Sequence, residues 1–131
     1  MDIHILIIEA ENRFRKNLYQ HLQAKGFRVD KVTQHDDVQA IMASEHIDTV
    51  LLGVDGLGRD GLALIQPIKN ISPSTKIIII NDPNQMELSI EGMDQGAFDD
   101  FLIPLDIDLL VERIRESVKP NTDDQPAGDD R

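Results

Sequence analysis

Three short runs made almost wholly of Ile, Leu and Val constrain this chain most: Ile3 to Ile8, Val50 to Leu52 and Ile77 to Ile80. A strand with one face in water alternates apolar and polar residues. A continuous apolar run instead suits a parallel strand covered on both faces. The segments between the runs have helical periodicity. Phe14, Leu18 and Leu22 recur every fourth residue, and Gly26 follows as a helix stop. Val38, Ile41 and Met42 mark a short second helix, and Leu62, Ile65 and Ile68 a third, with Asp60 placed to cap it and Gly61 easing the turn. Asp82-Pro83 reads as an N-cap with proline in the first turn. The helix it opens is expected to carry Met86, Ile90 and Met93 inward and to stop at Gly96. A last strand is expected near Asp100 to Ile103, before Pro104, and a last helix carries Leu110, Ile114 and Val118.

Five strand-helix units of this kind imply an α/β fold, a three-layer doubly wound parallel sheet with right-handed crossovers. Such folds place their sites outside the carboxyl ends of the strands. At 131 residues the chain is long enough to bury a core without staples, and having no cysteine it uses neither disulfides nor thiolate metal sites.

The net charge of −11 argues against nucleic-acid binding by this domain, because phosphate contacts need a cationic surface. Asp123, Asp124, Asp129 and Asp130 contribute to it from the end of the chain, but most of the excess lies before them. No apolar run is long enough to span a bilayer, and the opening Met1-Asp2-Ile3-His4 is not a basic-then-apolar signal, so a cytoplasmic location is expected. From Lys119 the periodicity dissolves into Pro, Asp, Gln and Gly. Residues 1–118 are therefore expected to form the domain and 119–131 a disordered acidic tail or linker.

Three segments carry a family resemblance. They are Ile5 to Glu11 with Arg15 and Leu18 after it; Asp48 to Gly53 with Asp60-Gly61-Leu62 after it; and Gly96-Ala97-Phe98-Asp99 with Pro104 beyond. In this order and spacing, covering roughly Ile3 to Val118, they resemble a bacterial response-regulator receiver domain of the chemotaxis-regulator type. The resemblance implies a flavodoxin-like strand order, 2-1-3-4-5.

It also implies a phosphoryl-accepting aspartate, Mg²⁺ held by acids, a hydroxyl residue and a lysine, the cations offsetting charge on the moving phosphoryl group. At those positions this chain has other residues. The acceptor is Gly53, which has no side chain to act as nucleophile. The acidic pair is Glu9-Ala10, the hydroxyl residue is Asn81, the lysine is Ile103, and the aromatic switch residue is Asp100, with Phe101 beside it. Losing carboxylate and lysine together avoids stranding a partly desolvated ammonium. Ile103 is expected to lean into the volume vacated at Gly53. The other reading of Gly53 is a bulge or a close backbone approach.

These departures imply a degenerate receiver, not an enzyme, acting as a phosphorylation-independent protein-interaction module in two-component signalling. The family's docking face runs over the fourth helix, fifth strand and fifth helix. Here it would carry Glu87, Glu91, Asp94, Asp100, Arg113 and Arg115, suited to a protein partner or to a homodimer. Two alternatives stand beside it. One is a cryptic receiver phosphorylated on a non-standard acid, with weak Mg²⁺ binding at Glu9, Glu11 and Asp55 and with Asp82 nearby. The other is a small-ligand sensor in the altered pocket. No cofactor is expected. His4, His21, His35 and His46 show no ligand spacing and are expected at the surface or at strand edges. Gly53, Gly56, Gly58 and Gly61 fit no phosphate-loop pattern, and Phe98 and Phe101 are expected in core or rim packing.

Overall fold

A computed structural model describes residues 2–33 and 36–119. The expected tail beyond Lys119, its aspartates included, and His35 lie outside the described residues. Strands β1 (His4–Ile8), β2 (Arg28–Val32), β3 (Thr49–Gly53), β4 (Lys76–Asn81) and β5 (Asp99–Leu102) form one sheet in the order β2-β1-β3-β4-β5. Every pairing is parallel. Helices α1 (Asn12–Ala24), α2 (Val38–Ser44), α3 (Arg59–Leu62), α4 (Ile65–Ile71), α5 (Met86–Asp94) and α6 (Ile107–Ser117) make the outer layers.

The strand pleat divides the core in two. Leu6, Ile8, Val50, Leu52, Ile77 and Ile79 pack under α2, α3, α4 and α5. Their alternates Ile5, Ile7, Leu51, Ile78 and Ile80 pack under α1 and α6, with Phe98 and Phe101 at the margin. Burial on both faces is why the central strands are apolar without interruption. The edge strands differ. β2 buries Val29 among Arg28, Asp30 and Lys31, and β5 opens on Asp99-Asp100, so neither stands out by composition.

Three local expectations need correction. The third helix is broken in two: α3 starts from Gly58, at φ 58°, and Asp60 lies inside its first turn rather than capping it. Asp82 does cap, accepting from Asn84 N, but it caps a 3₁₀ turn over Pro83–Gln85 before α5 begins. That extra turn resets the helix phase. Leu88, Ser89 and Gly92 face inward, while Met86, Ile90 and Met93 are exposed. Small residues face the sheet because α5 lies so close: a Cβ on Gly92 would collide with Ile79 Cδ1 and sit 3.1 Å from Leu62 Cδ2. His4, lastly, is buried in β1 rather than at the surface.

Candidate functional site

The carboxyl ends of β1, β3 and β4 and the turn after β5 bring Glu9, Ala10, Gly53, Asn81 and Ile103 to one edge of the sheet. A cleft of about 810 Å³ opens there between α1 and the segment leading into α6. Phe14, Leu18, Ile103, Pro104, Leu105 and Ile107 form its apolar wall, and Glu9, Glu11, Asp55 and Asp82 its acids. The acids expected near the strand ends are thus gathered, along with His21.

The volume over Gly53 belongs to Glu9, not to Ile103. A Cβ at position 53 would collide with Glu9 Oε1 and lie 2.9 Å from Cδ. Glutamate has one methylene more than aspartate and reaches from β1 across to β3. Ile103 instead packs half-buried against the core under α1 and α6 and lines the cleft. Gly53 is therefore a close-approach glycine, the approaching group being a side chain.

Glu9 is 2% exposed. Its Oε2 accepts from Glu11 N at 2.9 Å, and Oε1 has no hydrogen-bond partner among the described residues. Burial pushes its pKa above the ordinary glutamate value; the Glu11 backbone bond opposes the rise and the Asp55 charge adds to it. Arg15 bonds the Glu9 carbonyl at 2.8 Å, which ties α1 to the end of β1.

Glu11 has a structural task. As N-cap of α1 it accepts from Phe14 N at 2.8 Å and Arg13 N at 3.0 Å, and these bonds lower its pKa. Glu11 is thus engaged twice, and one Glu9 oxygen is aimed at Gly53. Among the described residues, the one group of three His, Asp or Glu that converges to metal-ligand spacing lies elsewhere.

Asn81 is locked. It is fully buried, donates through Nδ2 to Gln85 O at 2.7 Å and Ser89 Oγ at 2.9 Å, and accepts through Oδ1 from Asp82 N. The amide closes the turn from β4 into α5, a role that residue type alone did not reveal.

On the α5–β5–α6 face, Glu91 pairs with Arg59 of α3. Arg113 is held by Asp99 at 2.7 Å and Glu116 at 3.1 Å, over the Phe98 ring. Arg115 turns towards Lys25 O and Phe27. Glu87 and Asp94 stand exposed on α5 and Asp100 half-buried on β5, beside apolar Ile90, 62% exposed, Leu109, 52% exposed, and Met86, Met93 and Leu102, each around 40%.

A parallel sheet in this order, with its cleft at the carboxyl ends, defines a flavodoxin-like doubly wound α/β domain. Residues 5–115 match the model of the response regulator receiver domain, and the chain belongs to that family. It is 24% identical over 129 residues to the response regulator MprA of Mycolicibacterium vanbaalenii, covering 98% of this chain and 56% of that protein. It is 27% identical over 114 residues to the DNA-binding transcriptional regulator NtrC of Salmonella typhimurium, covering 87% of this chain and 24% of that one. The chain thus spans from a quarter to little more than half of these curated relatives. A response regulator from Thermotoga maritima superposes with a TM-score of 0.80 at 23% identity, covering 92% of this chain and 100% of that one. No helix among the described residues is long and apolar enough to cross a membrane.

Proposed function

We propose that this receiver domain signals without phosphoryl transfer, as a protein-docking module. The observation that carries the reading is the Glu9 carboxylate lying over Gly53, in the volume an acceptor side chain would need. Asn81, held by three hydrogen bonds, replaces a hydroxyl free to respond to phosphate. Ile103 supplies no charge to balance one. The domain on this reading is not an enzyme, needs no cofactor and has no use for Mg²⁺.

Docking is assigned to the α5–β5–α6 face, where apolar Ile90, Met86, Met93, Leu102 and Leu109 stand exposed. Single exposed apolar residues are ordinary, but here five stand exposed on the three elements of one face, α5, β5 and α6. A second copy of the chain or a signalling protein is the occupant proposed. The net charge of −11 selects against nucleic acid.

Amide NMR spectra recorded before and after adding Mg²⁺ and then beryllofluoride test the reading. Unchanged resonances at Glu9, Gly53 and Asn81 are expected. Saturable shifts there would instead establish the cryptic receiver. The cleft of about 810 Å³, apolar on one wall, favours a ligand sensor as the second reading; a co-purified small molecule found by mass spectrometry of the native protein would establish it.

A further inference from the structure

A second charged cluster lies at the amino end of the sheet, opposite the cleft. His4, the first residue of β1, is 4% exposed. Its Nδ1 lies 3.1 Å from the carbonyl oxygen of His46. A carbonyl can only accept, so Nδ1 carries the hydrogen. Nε2 lies 2.6 Å from Asp30 Oδ2. In the neutral ring with its hydrogen on Nδ1, Nε2 presents a lone pair, and the carboxylate oxygen presents another. Two lone pairs at this separation require a cation between them, either a proton shared along a hydrogen bond or, with a small outward shift of Asp30, a metal ion. Glu45, the C-cap of α2, lies beside the ring with Oε1 3.9 Å from Nδ1, and one ligand atom from each of His4, Asp30 and Glu45 falls within 4.8 Å of the others, so Glu45 must swing toward Nε2 to complete the set.

We propose that His4 Nε2, Asp30 and Glu45 form a binding site for a divalent transition-metal cation of the zinc class. An imidazole with two carboxylates suits such an ion better than Mg²⁺ or Ca²⁺, which prefer all-oxygen sets. The bond from Nδ1 to a backbone carbonyl is the arrangement that orients metal-binding histidines and directs the other nitrogen outward. Ligands about 2.0–2.2 Å from a tetrahedral ion stand roughly 3.3 Å apart, so Asp30 must move back by well under 1 Å. Asp30 and Glu45 have side chains 48% and 40% exposed, which leaves both free to adjust. The Arg28 guanidinium, 2.8 Å from Glu45 Oε1 and 63% exposed, must release that oxygen. The three ligands come from β1, β2 and the end of α2, so the ion clips the edge strand and its following helix to the central strand. This site is independent of the degenerate cleft.

Titration of the full chain with Zn²⁺ alone, followed by amide and histidine side-chain nitrogen NMR, decides the matter. One saturable site is expected, with Nε2 of His4 metal-bound and Nδ1 still protonated, and with D30N and E45Q each binding about tenfold more weakly or worse. The rival cation is a proton. Both His4 nitrogens remaining protonated at saturating Zn²⁺ would overturn the site. So would the absence of saturable binding, affinity unchanged in both variants, or shifts confined to His46 and Asp48, whose side chains pair at 2.9 Å close by.

Discussion

The carboxylate of Glu9 lies over the α-carbon of Gly53, with Cδ 2.9 Å from where a Cβ would stand. The two positions are complementary: the glutamate fits because residue 53 is glycine, and its oxygen closes the volume that an acceptor side chain would need. Position 9 thus explains position 53 in packing terms, before any question of signalling.

Gly53→Ala is expected to be mild. The new methyl displaces the far end of a flexible side chain beside an open cleft, so Glu9 swings outward and regains water. A cost within about 1 kcal/mol follows, because relief of carboxylate burial offsets lost packing. Gly92→Ala is the contrast. Its methyl meets Ile79 and Leu62 inside the core, so overpacking should cost about 1–3 kcal/mol. Urea denaturation of the two variants checks the order, and equal costs would refute the account of Gly53.

The buried carboxyl makes stability depend on pH. Burial raises the Glu9 pKa in the folded state above the ordinary 4.5. Between those two values the folded protein holds more protons than the unfolded chain, so stability is lost as pH rises through that window. Glu9→Gln should remove this slope, and its stability relative to the parent should climb from pH 4.5 upward. Glu11 has the opposite sign: its lowered pKa gives stability present above 4.5 and lost as pH falls. Urea midpoints across the pH range separate the two, and parallel profiles for parent and Glu9→Gln would count against the buried carboxyl.

Asn81 should tolerate little. Replacement by Thr, the residue type of a working receiver, removes the amide that donates to Gln85 O and Ser89 Oγ. Leaving such groups buried and unpaired costs about 1–3 kcal/mol. Thermal unfolding measures the loss, and faster hydrogen exchange over the 3₁₀ turn and the start of α5 would locate it. A neutral substitution would mean that Asn81 is not a lock.

Much of the fold was legible because burial on both faces writes itself as unbroken Ile, Leu and Val in β1, β3 and β4. The edge strands were harder, since Arg28, Asp30, Asp99 and Asp100 are polar on exposed or half-buried positions. The phase of α5 was misread because periodicity alone cannot show the 3₁₀ turn that shifts it, nor that Ser89 and Gly92 are small to let the helix approach. Gly53, Asn81 and Ile103 were visible as departures from the receiver pattern. What fills the space at Gly53 was not, because it depends on a side chain reaching across from a neighbouring strand. The pairing of His4 with Asp30 and Glu45 was equally hidden: its members lie far apart in sequence, and β1–β2 register places Asp30 two residues beyond His4's partner while the end of α2 brings in Glu45.

Restoring the acceptor alone should fail, and the failure is informative. Gly53→Asp introduces a carboxylate where Glu9 already sits, with Asp55 close enough to raise the Glu9 pKa. Like charges sharing a partly desolvated site disfavour ionisation of both. The variant should therefore lose about 2–4 kcal/mol at neutral pH and recover part of it on acidification. Adding Ile103→Lys places an ammonium on the wall of the same cleft and should return part of the stability at neutral pH, since it supplies the missing opposite charge. Beryllofluoride with Mg²⁺ should leave the single variant unchanged in NMR spectra, and should bind only when Ala10→Asp and Asn81→Thr accompany both substitutions. Denaturation midpoints and the fluoride titration together read this out. Tight beryllofluoride binding by Gly53→Asp alone would mean that the remaining site is still competent and that a single residue separates this chain from a working receiver.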